Sequence, residues 1–191
     1  TGLTLSRAQL VEASRRVPPA EFRLESWADH HPAEQYDAII SIGAFEHFAR
    51  PEHSAAEKVA IYRGFFRTCA EMLAPGGRLS LQSIVFGIGR FIPDTPLASV
   101  FPESHLPRAH EIFAAFDGIF EPEEMRNDRE HYVRTLEEWR SALASSSASA
   151  ENLVGSRAVR DYLTYLEFTR DGFASGVFDL FRLRLRRLAV G

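Results

Sequence analysis

The chain has a single cysteine, Cys69, in 191 residues. That excludes an intramolecular disulfide framework and any metal site built from a cysteine cluster. Positive charge is not in excess either: 22 Lys and Arg stand against 26 Asp and Glu, a formal net charge of −4. Nucleic-acid binders usually carry a basic patch, so composition gives no electrostatic reason to expect such a partner. No apolar run approaches the roughly 20 residues of a membrane-spanning helix. No signal-peptide pattern and no internal repeat are visible, and a cytoplasmic protein is the expectation. Initiator Met is also lacking, and no Gly-x-Gly loop precedes Gly2-Leu3-Thr4, which reads as the end of a strand whose start is missing.

What remains suits one soluble domain over residues 1–191. A hydrophobic fraction of 45% in a chain of this length is enough material for a sizeable core. The most informative stretch runs from Tyr36 to Phe48. Ala38-Ile39-Ile40-Ser41-Ile42 is a short apolar run rich in β-branched residues, which predicts a strand buried on both faces, as in a parallel sheet. Gly43 ends it, and Glu46-His47 place a carboxylate and an imidazole just beyond. Ligands of open α/β sheets bind outside the carboxyl ends of the strands. From these residues alone two readings stand: a ligand site, or a loop Glu capping a helix beside a solvent-facing His.

Around that stretch the pattern alternates strand and helix. Ser6 is a good N-cap for a helix over Arg7–Arg16, which Pro18-Pro19 closes. Glu21 to Trp27 alternates charged and apolar residues, as a half-buried strand does. A polar stretch, Ala49–Lys58, precedes a core-facing helix marked by Ile61, Phe65, Phe66, Cys69, Met72 and Leu73. Pro75-Gly76-Gly77 makes a tight turn, and Arg78–Val85 is the next strand. Residues 86–107 are broken by repeated Gly and Pro and are expected to form a substrate lid. His105 and His110 flank Pro107 there, but no third His or carboxylate completes a metal spacing. A short helix over Arg108–Phe116, a strand from Gly118, and an amphipathic helix carrying Tyr132 and Trp139 follow. Ala142–Ala150 is an Ala/Ser tract read as a helix end or mobile loop. Arg157–Arg170 is helical, and Phe173–Leu188 closes the chain as a strand. There Arg182, Arg184 and Arg186 read as a solvated face rather than a phosphate site.

Ser41-Ile42-Gly43-Ala44-Phe45-Glu46-His47-Phe48 resembles the signature of the cyclopropane-fatty-acid synthase family, which includes the mycolic-acid cyclopropane synthases. Gly2-Leu3-Thr4-Leu5-Ser6 and His131-Tyr132 with Thr135-Leu136 extend the resemblance along nearly the whole chain. It implies a Rossmann-like class I methyltransferase fold: α/β, a mostly parallel sheet with helices on both faces, here without its first strand and Gly-rich loop. It also implies S-adenosylmethionine as cofactor, with Thr4, Gln9, Trp27, Ile42, Gly43 and His47 on the cofactor side. For catalysis it points to Glu46, Tyr132 and Gln82, with bicarbonate held between them. Gln82 stands where the family has a His that helps bind that anion; Gln still donates a hydrogen bond but does not titrate near neutral pH. Phe45 and Phe48 are expected to face a cationic intermediate.

The implied reaction is C-methylation or cyclopropane formation at an electron-rich alkene of a lipid or a natural product. A non-catalytic partner subunit is the alternative. Besides substrate, the expected partners are a second copy of the chain or a complementary N-terminal segment.

Overall fold

The computed structural model describes residues 1–87 and 105–189. Most of the expected lid, and the Val100–Ser104 part of the family-like segment, lie outside the described residues. Two sheets are present. β1 (Gly2–Thr4) and β2 (Phe22–Leu24) pair in parallel around α1 (Arg7–Arg16). The larger sheet has the order β3-β4-β6-β5, from β3 (Tyr36–Ile42), β4 (Leu73–Phe86), β6 (Phe178–Arg187) and β5 (Phe120–Asn127). β3 and β4 are parallel, while β6 is antiparallel to both its neighbours. All of its strands but β6 therefore point the same way, and the expected mostly parallel α/β architecture holds.

Register on β4 separates two cores. Leu79, Leu81 and Val85 face α2 (Ala55–Met72) and α3 (Ala109–Phe116), with Phe65, Phe66 and Ile112 packed against them. On the opposite face Ile84 and Phe86 lie across from Leu180 and Phe178 of β6. They join Leu136 of α4 (Arg129–Ser145) and Leu166 and Phe173 of α6 (Ser156–Ala174) in a second cluster. The rest of that face is open: Arg184 and Arg186 pair with Glu121, Glu123 and Glu124, and Arg78 with Glu123. Arg184 and Arg186 thus line a solvated face with carboxylate partners from β5, while Arg182 pairs with Asp128 just beyond that strand.

Several expectations change. The β3 strand is covered on one face only, since Ile40 is 72% and Ile42 63% exposed; α2 covers one side, and no described element covers the other. Helix α2 begins at Ala55, because Ser54 and Glu57 form a reciprocal capping box, so the polar stretch is partly helical. Leu73 is already extended and pairs with Tyr36. The Ala/Ser tract is helical, ending α4 and supplying α5 (Ser147–Val154). Phe173 belongs to α6, not to the last strand, and Phe178 begins β6. Among the described residues no helix is long and apolar enough to cross a membrane.

Candidate active site

β3 ends at Ile42 opposite Gln82, and the Gly43 N–H donates to the Gln82 carbonyl at 3.2 Å. Gly43 adopts φ +63°, a left-handed conformation open to glycine at no steric cost. The chain then turns through a 3-10 helix, Phe45–His47. Because β3 stops there, the next N–H on the same edge of β4, that of Ile84, lacks a strand partner. Glu46 takes it: Oε1 accepts the Ile84 N–H at 2.6 Å. The residue is only 5% exposed, and among the described residues its buried Oε2 has no hydrogen-bond partner. Burial pushes the Glu46 carboxyl above its usual range, partly offset by the Ile84 N–H and the Ser83 hydroxyl.

Tyr132 lies in the first turn of α4, its ring edge-on to Phe173 at 4.9 Å and near Trp139 at 6.1 Å. Its phenol is pushed up to about 12, mainly by burial, with the charges of Tyr165 and Glu46 adding to it. Gln82 is half-buried on β4, two residues before Ile84, and its Oε1 accepts Arg182 Nε–H at 2.8 Å. Glu46 follows the end of β3 and Tyr132 opens α4, while Gln82 is turned toward β6.

On the cofactor side, the Thr4 hydroxyl donates to Gln9 Oε1 at 2.7 Å, where β1 passes into α1. Trp27 packs against Phe48 at 5.1 Å and edge-on to Phe65 at 5.3 Å, which brings it to the loop that holds Glu46. Ile42, Gly43 and His47 are exposed, and partial desolvation of the His47 ring by the atoms around it lowers its pKa. Among the described residues, none beyond its chain neighbours has a heavy atom within 4 Å of the place a Cβ on Gly43 would occupy, so the backbone there is open to approach. Phe45 does not face such a ligand: it is sealed in the core, stacked on Tyr62 at 4.4 Å. Phe48 is half-buried between Trp27 and Phe65.

Two polar groups escaped the sequence reading. Behind Phe45, the buried Lys58 and Tyr62 lie one turn apart on α2, with buried Glu111 of α3 near Tyr62, and among the described residues the Tyr62 hydroxyl has no partner. The i, i+4 spacing of Lys58, Tyr62 and Phe66 was the available signal. The second is a clamp, His30 with Nδ1 at 2.7 Å from Glu25 and Nε2 at 2.8 Å from the Tyr36 hydroxyl. Nothing in its sequence spacing marks it. Among the described residues no cluster of His, Cys, Asp and Glu fits a metal ion.

The sequence profile described as "Mycolic acid cyclopropane synthetase" matches residues 1–183. The chain belongs to that family. Cyclopropane mycolic acid synthase 2 of Mycobacterium leprae (strain TN) is 31% identical over 208 residues, covering 96% of this chain and 63% of the relative. The chain thus spans less than two thirds of that relative's length. By fold, the cyclopropane synthase MmaA2 from Mycobacterium tuberculosis matches 97% of the chain and 69% of its own, with a TM-score of 0.83 and 24% identity. The mycolic acid cyclopropane synthase CmaA1, solved with SAH and CTAB, matches the same shares with a TM-score of 0.82 and 25% identity. Family membership confirms the resemblance carried by the Ser41–Phe48 stretch, and these neighbours confirm the Rossmann-like methyltransferase fold.

Proposed function

We propose that this protein is the greater part of an S-adenosylmethionine-dependent enzyme that methylates or cyclopropanates an electron-rich alkene of a lipid or natural product. A complementary N-terminal segment completes its cofactor site in this reading. The observation that carries it is Glu46, a buried carboxylate at the carboxyl end of β3 with one oxygen held by Ile84 and the other without a partner among the described residues. The family and the SAH complex of CmaA1 support the cofactor.

The residues present fit that cofactor. Exposed Ile42, Gly43 and His47, with Trp27 beside their loop and the Thr4–Gln9 pair, would hold it. When bound it supplies a sulfonium methyl group to an electron-rich carbon. An alkene that attacks such a methyl is left with a positive charge, and a proton must then leave for a base. Glu46, with its free lone pairs at Oε2 and a raised pKa, suits accepting or relaying that proton. Tyr132, with its phenol protonated at neutral pH, donates a hydrogen bond to the acceptor. Glu46, Tyr132 and Gln82 would be the residues to hold a bicarbonate ion, Tyr132 and Gln82 as hydrogen-bond donors and Glu46 as acceptor, and the ion would supply a proton acceptor. The apolar cluster of Phe86, Leu136, Leu166, Phe173 and Phe178 beside Tyr132 keeps water from the cation.

The test is calorimetry of S-adenosylhomocysteine binding to this chain and to a version extended at its N-terminus. Binding by the extended form, followed by methyl transfer to an alkene lipid, is the expected result. Binding by neither form overturns the assignment and leaves a partner subunit as the better reading.

A further inference from the structure

We infer that Arg182, read from the sequence as part of a solvated strand face, is a positioning residue that orients Gln82 toward the anion site and ties it to the helix of Tyr132. The inference rests on reading the Glu46–Tyr132 region as an anion site.

Gln82 and Arg182 are register partners on β4 and β6. Arg182 Nε–H donates to Gln82 Oε1 at 2.8 Å. A guanidinium has only donors, so the carboxamide must present its oxygen to Arg182, whichever way the amide is otherwise free to turn. Its NH2 group is then held pointing away from the guanidinium, and among the described residues it has no acceptor. A glutamine that is free to flip offers an anion a donor and an acceptor alternately. One anchored through its oxygen offers donors only. In this way a residue that cannot titrate still presents a fixed positive dipole end to an anion.

The other end of Arg182 reaches the same site by a second route. Nη1–H donates to Asp128 Oδ2 at 2.9 Å, and Arg126 Nη2–H holds that same oxygen at 2.6 Å. Asp128 precedes α4, and its main-chain carbonyl accepts the N–H groups of His131 and Tyr132 at 3.1 and 3.2 Å. Gln82, Arg182, Asp128 and the Tyr132 turn thus form one connected run. The planar fork of arginine suits bridging two acceptors; the point charge of lysine does not.

The experiment uses the 15N-labelled chain, with the Gln82 side-chain NH2 signals identified by their loss in Gln82→Ala, and bicarbonate as the probe. In the wild type the two amide protons should be well dispersed and shift on adding bicarbonate. Arg182→Met should collapse their dispersion and weaken bicarbonate binding about fivefold, with Arg182→Lys close to Met. Combined with Gln82→Ala, Arg182→Met should add little further loss. Circular dichroism and S-adenosylhomocysteine binding by the extended form, which report on folding and on the cofactor reading, should be unchanged. Gln82 signals that are the same in wild type and Arg182→Met overturn the inference. So does a bicarbonate titration that leaves those signals unmoved, or an Arg182→Met loss that is equal with and without Gln82. Failure of S-adenosylhomocysteine binding alone overturns the cofactor reading and not the orientation of Gln82.

Discussion

The Oε1 oxygen of Glu46 accepts the Ile84 main-chain N–H at 2.6 Å, closing the edge of β4 at the point where β3 has ended. One carboxylate oxygen thereby serves as a substitute strand partner. The other is buried and has no hydrogen-bond partner among the described residues, and on the proposed function it is the reactive one. This division of one side chain into a structural and a reactive half is testable.

Glu46→Gln keeps an acceptor for Ile84 and removes the titrating group. Methyl transfer by the N-terminally extended form should fall about 100-fold or more, as expected for loss of a general base. The folded-state pKa of Glu46 is raised, so the folded protein binds this proton more tightly than the unfolded chain does. The stabilisation is complete below the unfolded carboxyl pKa and is lost as pH rises through the folded one. The melting temperature of Glu46→Gln should therefore gain on the wild type between pH 4 and pH 7, as scanning calorimetry would show; a constant difference contradicts the burial argument.

Tyr132→Phe retains the ring packed on Phe173 and loses only the hydroxyl. Stability should change by about 1 kcal/mol or less, while turnover of the extended form drops by about 10-fold to 100-fold. With the phenol at about 12, the wild-type rate should show no alkaline limb from Tyr132 below about pH 10. A rate profile from pH 6 to 10 for both proteins checks this.

His30 is 2% exposed and joins Glu25 to Tyr36. His30→Ala leaves both partners short of a hydrogen bond and should cost about 2–3 kcal/mol in urea unfolding.

Ile40 is 72% exposed on an edge strand. Ile40→Thr should change the stability of this chain by about 0.5 kcal/mol or less, as at other exposed sites. If a complementary N-terminal segment covers this face, the same substitution in the extended form should cost about 1–2 kcal/mol. Equal effects in the two forms, measured by denaturant titration, would place the cover elsewhere.

Much of the architecture was legible because it is local. The apolar period marks α2, Ser6 caps α1, and the run Ala38–Ile42 with Gly43 after it gives a strand ending in a reversal. What failed was what depends on neighbours. Periodicity cannot say whether a β-branched strand is covered on one face or two, and β3 proved open on one side. It cannot show that Phe45, beside the site in sequence, is turned into the core, or that the buried His30 closes a clamp.

Family, fold class and the residue types of the candidate site can be read from the chain alone, because motif spacing and side-chain identity carry that information directly. Which atoms of those residues are engaged depends on how distant strands are brought together. Glu46 gives one oxygen to Ile84 because β3 is shorter than β4, and Gln82 faces Arg182 because β6 runs antiparallel beside it in one particular register. Both facts are relations between strands distant in sequence, set by which faces the helices bury, and no local pattern contains them.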